Sequence, residues 1–220
     1  MKKIRVLISI FTFVIVCFLC TEVSAFPPST STIYDGIDVS EWQGEINWVD
    51  VSNSGIDIAY IRASEGSGYE DPDAMRNYNG AKAVGIKVGF YHYLTATTVS
   101  EAIEQANFFV SVIQNLNVDC RLAMDFESFQ GLGNYEINQI SQAFLAEVER
   151  VSGKKAIIYS DAYNAAYTFS SKLASEYPIW VADYYVSEPG NGNWQVWDGF
   201  QYTDEGQISG IGDYVDRDYF

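Results

Sequence analysis

The sequence predicts an α/β fold: an incomplete (β/α) barrel in which five βα units are followed by three strands. Three observations predict it. Short β-rich runs alternate with helical patterns as far as Ala174; beyond that point strand-like runs continue while the helical patterns stop; and 220 residues, at roughly 150 per domain, leave room for one such domain.

The elements follow in order. Residues 1–25 read as a secretory signal peptide, with a basic start at Lys2, Lys3 and Arg5 and an apolar run from Val6 to Cys20 that is short for the roughly 20 residues of a membrane span. Val23-Ser24-Ala25 supplies the small residues that precede cleavage, and a lipid anchor on Cys20 is disfavoured by Leu19 before it. A short Pro/Ser/Thr-rich lead-in covers 26–33, and the domain is expected over 34–220. Strands are expected at Ile37–Val39, Ile58–Arg62, Lys87–Tyr93, Arg121–Phe126 and Ala156–Ser160. A helix after Thr98 has Glu101 placed for a capping box and Ile103, Ala106, Val110 and Ile113 at helical spacing. A second uses Ile137, Ile140, Phe144, Val148 and Val151 and ends at Gly153. The last strands are Ile179–Asp183, Gln195–Tyr202 and Asp213–Tyr219, with Gly-, Asn- and Asp-rich segments between them.

Composition excludes several functions. Lys plus Arg number 13 against 29 Asp plus Glu, a formal charge of −16 that becomes −18 without residues 1–25, so a basic nucleic-acid-binding surface is excluded. One histidine, His92, and three cysteines cannot build the usual His-rich zinc centre, and neither a metal nor a cofactor is expected. Cys17 and Cys20 fall in the apolar run, which leaves Cys120 without a disulfide partner and expected as a buried thiol. Gly66-Ser67-Gly68 lacks the lysine that would complete a phosphate loop.

Acidic residues stand at or near the carboxyl ends of the expected strands, where barrels of this class carry their chemistry: Asp38, Asp125, Glu127 and, on the last strand, Asp216. On a strand, Asp125 and Glu127 would share a face with Cα atoms roughly 6.5–7 Å apart. Like charges so close raise one pKa; with Glu127 protonated and Asp125 ionised, the pair would have the division of labour that glycoside hydrolysis requires. The apolar Leu122-Ala123-Met124 before the pair marks a buried strand rather than a solvated face. Aromatic residues make up 15% of the chain, and Tyr91, Tyr93, Tyr159, Trp180, Tyr184 and Tyr202 near the same rim suit the apolar faces of sugar rings, with core packing as the alternative for each. His92, inside a strand, is expected as a satisfied core residue.

Read together, these segments resemble the glycoside hydrolase family 25 lysozymes. The resemblance runs in order through Gly36-Ile37-Asp38-Val39-Ser40 with Gln43-Gly44 and Trp48, Tyr60-Ile61-Arg62-Ala63-Ser64-Glu65-Gly66, Gly89-Phe90-Tyr91-His92-Tyr93, Met124-Asp125-Phe126-Glu127, Ile158-Tyr159, Ile179-Trp180-Val181-Ala182, Gln201-Tyr202 and Val215-Asp216. It implies an N-acetylmuramidase that cleaves the β-1,4 bond between N-acetylmuramic acid and N-acetylglucosamine in peptidoglycan, with Glu127 as general acid, Asp125 as its carboxylate partner, and Asp38 and Asp216 completing the cluster. Arg62, Tyr91, Tyr159, Trp180 and Gln201 become candidate substrate-binding residues. Arg62 stands where the family usually has Lys, Asp183 where an amide is common, and Asp218 where Asn is frequent. The expected partner is a peptidoglycan glycan strand, met by a secreted or wall-associated monomer with no nucleic acid and no stable membrane insertion after signal cleavage. Two rivals stand beside this reading: a non-catalytic peptidoglycan-binding module on the same fold, and a peptidase pairing Cys120 with His92.

Overall fold

The computed structural model describes residues 26–190 and 192–220, so the expected signal peptide lies outside the described residues. The strands are β1 (Asp35–Val39), β2 (Ile58–Glu65), β3 (Tyr69–Glu70), β4 (Lys87–Tyr93), β5 (Leu122–Asp125), β6 (Ala156–Asp161), β7 (Ile179–Ala182), β8 (Gly199–Gly206) and β9 (Val215–Tyr219). The helices are α1 (Trp48–Asn53), α2 (Ala74–Ala83), α3 (Val99–Ile113), α4 (Asn134–Ser152), α5 (Ala162–Tyr167) and α6 (Ser171–Glu176). Eight strands close into a ring in the order β1-β9-β8-β7-β6-β5-β4-β2, with β2 returning to β1 and β3 appended to β2 as a short hairpin. Neighbours are parallel from β1 through β8, and β9 alone in the ring runs antiparallel, against both β1 and β8. Helices accompany the first five βα steps and, among the described residues, none lies between β7, β8 and β9, as the sequence pattern predicts.

Local chemistry accounts for the element ends. Thr98 Oγ1 accepts the Glu101 N–H at 3.2 Å, but the Glu101 carboxylate reaches one residue further back than expected, to the backbone and hydroxyl of Thr97. α4 ends at Gly153 in the left-handed conformation. Ala106, Val110 and Ile113 are buried as their spacing predicts, whereas Ile103 and Val151 sit at the edges of their apolar stripes and are exposed. The strand expected to start at Gln195 begins at Gly199, because two buried tryptophans pin the segment before it while Gln195 and Val196 stay exposed: the Trp194 indole donates to the Tyr177 carbonyl at 2.8 Å, and the Trp197 backbone forms a bridge with Pro28. That bridge and the burial of Phe26 tie the lead-in to the body of the fold.

The core has two layers. The larger one fills the space between ring and helices and includes Phe90, Phe109, Phe126, Phe144 and Phe169. The smaller fills the ring itself, where Tyr60, Trp180 and Phe220 pack with ring centroids 4.8–5.3 Å apart. Glycines make room for this plug. A Cβ on Gly89 would lie 2.5 Å from the Tyr60 ring, and one on Gly199 would lie 2.7 Å from Trp180. The plug fills the ring interior, and the site lies at the end where the parallel strands terminate.

Candidate active site

At that end Asp38, Tyr91, Asp125, Glu127, Tyr159, Trp180, Gln201 and Asp216 line a single cavity of about 160 Å³. Asp38 comes from the carboxyl half of β1, Asp125 is the last residue of β5, and Glu127 follows two residues beyond it. Asp216 reaches the same end because β9 runs the opposite way, which puts its first residues at the rim and pairs Asp216 with Asp38. Register likewise puts Asp125, Tyr159 and Trp180 side by side on β5, β6 and β7. A larger depression of about 440 Å³, formed by residues 207–214 in the β8–β9 connection, contains only Asp213 as an ionisable carboxylate and lacks the convergent carboxylates of the first.

Hydrogen bonds fix the cavity floor. Gln201 accepts from the Tyr159 hydroxyl at 2.8 Å and the Tyr184 hydroxyl at 2.6 Å, and its amide N–H donates to Asp38 Oδ2 at 2.7 Å. With its oxygen occupied twice, the amide has one orientation. Asp125 is buried and its Oδ1 has no hydrogen-bond partner. Burial, then the charge of Glu127, holds Asp125 well above the usual carboxylate range, with Arg62 opposing. Glu127 is exposed at the rim yet contributes to the cavity wall, and its carboxyl is raised first by desolvation and then by Asp161. Asp216 is pushed up to about 6 by burial and by Asp204, and Asp38 is raised by burial and then by Asp216 and Asp218. The sequence suggests one raised carboxyl in the Asp125/Glu127 pair; the structure raises both, because Asp125 lies at the floor rather than on an open strand end.

Arg62 is not among the cavity-lining residues. Its guanidinium bonds Asp71 at 2.9 Å and Glu41 at 2.7 Å, and so ties β2 to the 3₁₀ turn Glu41–Gln43 that follows β1. Tyr184 adds to the floor through Gln201, Tyr93 is half-buried on β4, and Tyr202 stacks on Tyr219 with centroids 4.5 Å apart, away from the cavity. Asp218, behind Asp38, bonds the Trp180 indole at 2.8 Å; sequence reasoning noted it only as a departure, although its position two residues after Asp216 puts both on one strand face.

His92 is a core residue, as expected. It is fully buried between Phe109 and Phe144, bonded to Ser64 Oγ at 2.8 Å and Gln105 at 3.3 Å, and burial pulls it down to about 4. Cys120 is part-buried rather than fully buried and precedes β5, where its N–H bonds the Val88 carbonyl, while His92 pairs with Met124 near the other end of that strand. Burial raises the thiol to about 11. A Cys120–His92 nucleophile is therefore ruled out on both position and protonation. Among the described residues, no group of three or more His, Cys, Asp and Glu is arranged to hold a metal ion, and no helix is long and apolar enough to cross a membrane.

The family model described as Glycosyl hydrolases family 25 matches residues 37–211, which include every cavity-lining residue except Asp216. The chain belongs to glycosyl hydrolases family 25. It is 34% identical over 186 residues to the autolytic lysozyme of Clostridium acetobutylicum, covering 84% of this chain and 55% of that protein. It is 32% identical over 209 residues to lysozyme M1 of Streptomyces globisporus, covering 88% of this chain and 69% of the relative. The chain thus spans about half of the first relative's length and about two thirds of the second's. Among solved structures, the bacterial lysozyme of Streptomyces coelicolor superposes with a TM-score of 0.72 at 28% identity, covering 86% of this chain and 92% of that one.

Proposed function

We propose that this family 25 glycoside hydrolase is a secreted or wall-associated, monomeric peptidoglycan muramidase that hydrolyses the β-1,4 bond between N-acetylmuramic acid and N-acetylglucosamine. The observation that carries the reading is the convergence of Asp38, Asp125, Glu127 and Asp216 with Tyr91, Tyr159, Trp180 and Gln201 on one cavity at the strand ends. Rings supply faces for sugar stacking, the amide and hydroxyls meet sugar polar groups, and the carboxyls supply acid–base chemistry. A binding module that has lost turnover would not need four carboxyls kept above their ordinary range.

Glu127, at the rim, is the general acid that protonates the leaving oxygen. Desolvation and then the charge of Asp161 raise its carboxyl above the ordinary range, which favours the protonated form an acid needs. Asp125 is two residues away along the chain and lines the same cavity, so it is poorly placed to attack the anomeric carbon from the opposite side. The substrate's own 2-acetamido group makes that attack, and the unpartnered Oδ1 of Asp125 is the acceptor for the acetamido N–H, which becomes a stronger donor as positive charge develops on it. Asp38 and Asp216 complete the negative field, and Arg62 acts by holding the 3₁₀ turn after β1.

Mass spectrometry of sugars released from purified peptidoglycan, reduced with borohydride to mark the new reducing end, tests the reaction: reduced N-acetylmuramic acid is expected, and reduced N-acetylglucosamine would refute it. NMR of the first-formed product tests the route, since participation gives two inversions and a retained β-anomer; an α-anomer would overturn it.

A further inference from the structure

Asp218 has no exposed surface. Its Oδ1 accepts the Trp180 indole N–H at 2.8 Å, while its Oδ2 is buried with no hydrogen-bond donor. An unpaired buried carboxylate oxygen is costly, so it needs a partner. The antiparallel register sets Gly36 opposite Asp218 and Asp38 opposite Asp216, which makes Asp38 and Asp218 diagonal neighbours on the inward face, and the Asp38 carboxyl is within hydrogen-bonding reach of Asp218.

Among the described residues no donor bonds Asp218 Oδ2. The Gln201 N–H goes to Asp38 Oδ2, and the Tyr159 and Tyr184 hydroxyls go to Gln201. Arg217, the adjacent cation on β9, extends toward Asp35 at 3.7 Å and over the Tyr202 ring. Two carboxyl groups are thus neighbours across the β1–β9 seam, and the unpartnered oxygen of Asp218 can be satisfied if a single hydrogen lies between it and Asp38.

We propose that Asp38 and Asp218 share one proton as an acid–carboxylate pair, making Asp218 a positioning residue that sets Asp38 and Trp180 in the floor of the groove. Like charges in contact cannot both ionise in a buried site. The groups near the pair strengthen this: Asp216 from β9, Asp125 at the end of β5, and the hydroxyls of Tyr60 on β2, Tyr91 on β4 and Tyr159 on β6 bring no positive charge, and Arg217 on β9 is the cation that opposes them. Burial is the leading cause that raises both Asp38 and Asp218.

The part of this inference that concerns turnover rests on the muramidase reading; the shared proton itself does not. Infrared spectra of the wild type and D218N at pH 7, in H₂O and D₂O, test it directly. The wild-type-minus-variant difference is expected to contain an isotope-sensitive carboxylic-acid carbonyl band, because the introduced amide can donate to Asp38 and so releases the proton. A difference containing carboxylate bands alone would overturn the proposal.

Turnover supplies the second readout. D218N, which keeps an acceptor for Trp180 and gains a donor for Asp38, is expected to retain activity at neutral pH, whereas D218A is expected to lose more than about tenfold in kcat with KM nearly unchanged. A D218A protein with kcat within about twofold of the wild type, or a D218N protein as impaired as D218A, would overturn the positioning role. Absence of turnover in the wild type would refute the muramidase reading and leave the infrared result to decide the shared proton.

Discussion

Replacing Asp216 by Asn should stabilise the protein at neutral pH while removing a member of its carboxyl cluster. Asp216 is half-buried and is pushed up from 3.8 to about 6, first by burial and then by the charge of Asp204. A carboxyl whose pKa is higher folded than unfolded binds more protons in the folded state, so its contribution is fully present below about pH 4 and is lost as pH rises through about 6. A displacement of about two pH units at 1.36 kcal/mol each gives an upper bound of about 3 kcal/mol, and solvent screening of a partly exposed group reduces this to roughly 1–2 kcal/mol. Asn cannot ionise and avoids the loss. Urea unfolding of D216N and wild type at pH 4, 6 and 8 should give equal stabilities at pH 4 and a gap favouring D216N that opens by pH 8, worth about 2–8 °C in melting temperature. His92, which burial pulls down to about 4, works in the opposite direction between pH 4 and 6.5, but it is common to both proteins and cancels in the difference. A gap independent of pH, or a D216N protein less stable at pH 8, would refute the assignment of Asp216 as an electrostatically strained group.

Glu127→Gln keeps the volume and removes the proton, so lysis of purified walls should fall by roughly 10²–10⁴-fold with an unchanged circular dichroism spectrum; retention of more than about a tenth of the turnover would sink its assignment as the acid. Raising ionic strength from low values toward physiological, where the Debye length is about 8 Å, should speed hydrolysis of walls rich in anionic polymer, since the chain carries a formal charge of −16; a monotonic fall would mean that local cations dominate encounter. Gly80→Ala sets helix propensity against packing: Ala gains about 1 kcal/mol in an α2 interior, but its Cβ would stand 2.1 Å from the Trp48 ring, and overpacking of roughly 1–3 kcal/mol should leave the variant net destabilised on thermal melting.

What the sequence revealed and what it concealed divide along a physical line. Asp38, Asp125, Glu127 and Asp216 were legible because each stands at the end of a β-rich run, where a charged residue is anomalous unless it faces a cavity. Tyr91, Tyr159, Trp180 and Gln201 were legible through the family resemblance and the rim they share. Arg62 was misleading in isolation, since its partners Glu41 and Asp71 lie 21 and 9 residues away and only the fold brings them to its guanidinium. The depth of Asp125 depends on the loops around it, and so does its protonation. Asp218 was hidden for a related reason: its relation to Asp38 exists only through the β1–β9 register, which joins residues nearly the whole domain apart.

That same register sets when the site can come into being. Strands β1 through β8 can pair and bury much of their apolar surface by contacts between neighbours in sequence, but the ring closes only when β9 inserts between β8 and β1. This pairing spans about 180 residues and is the slowest kind of contact for a chain to find. It is also the step that brings Asp216 and Asp218 up against Asp38, so the most repulsive juxtaposition in the molecule is deferred until the other strands can hold it in place. Competence is therefore a property of the finished ring alone: a nearly folded chain with β9 still free would have Glu127 and Asp125 in position, an open seam beside Asp38, and no complete groove in which to use them.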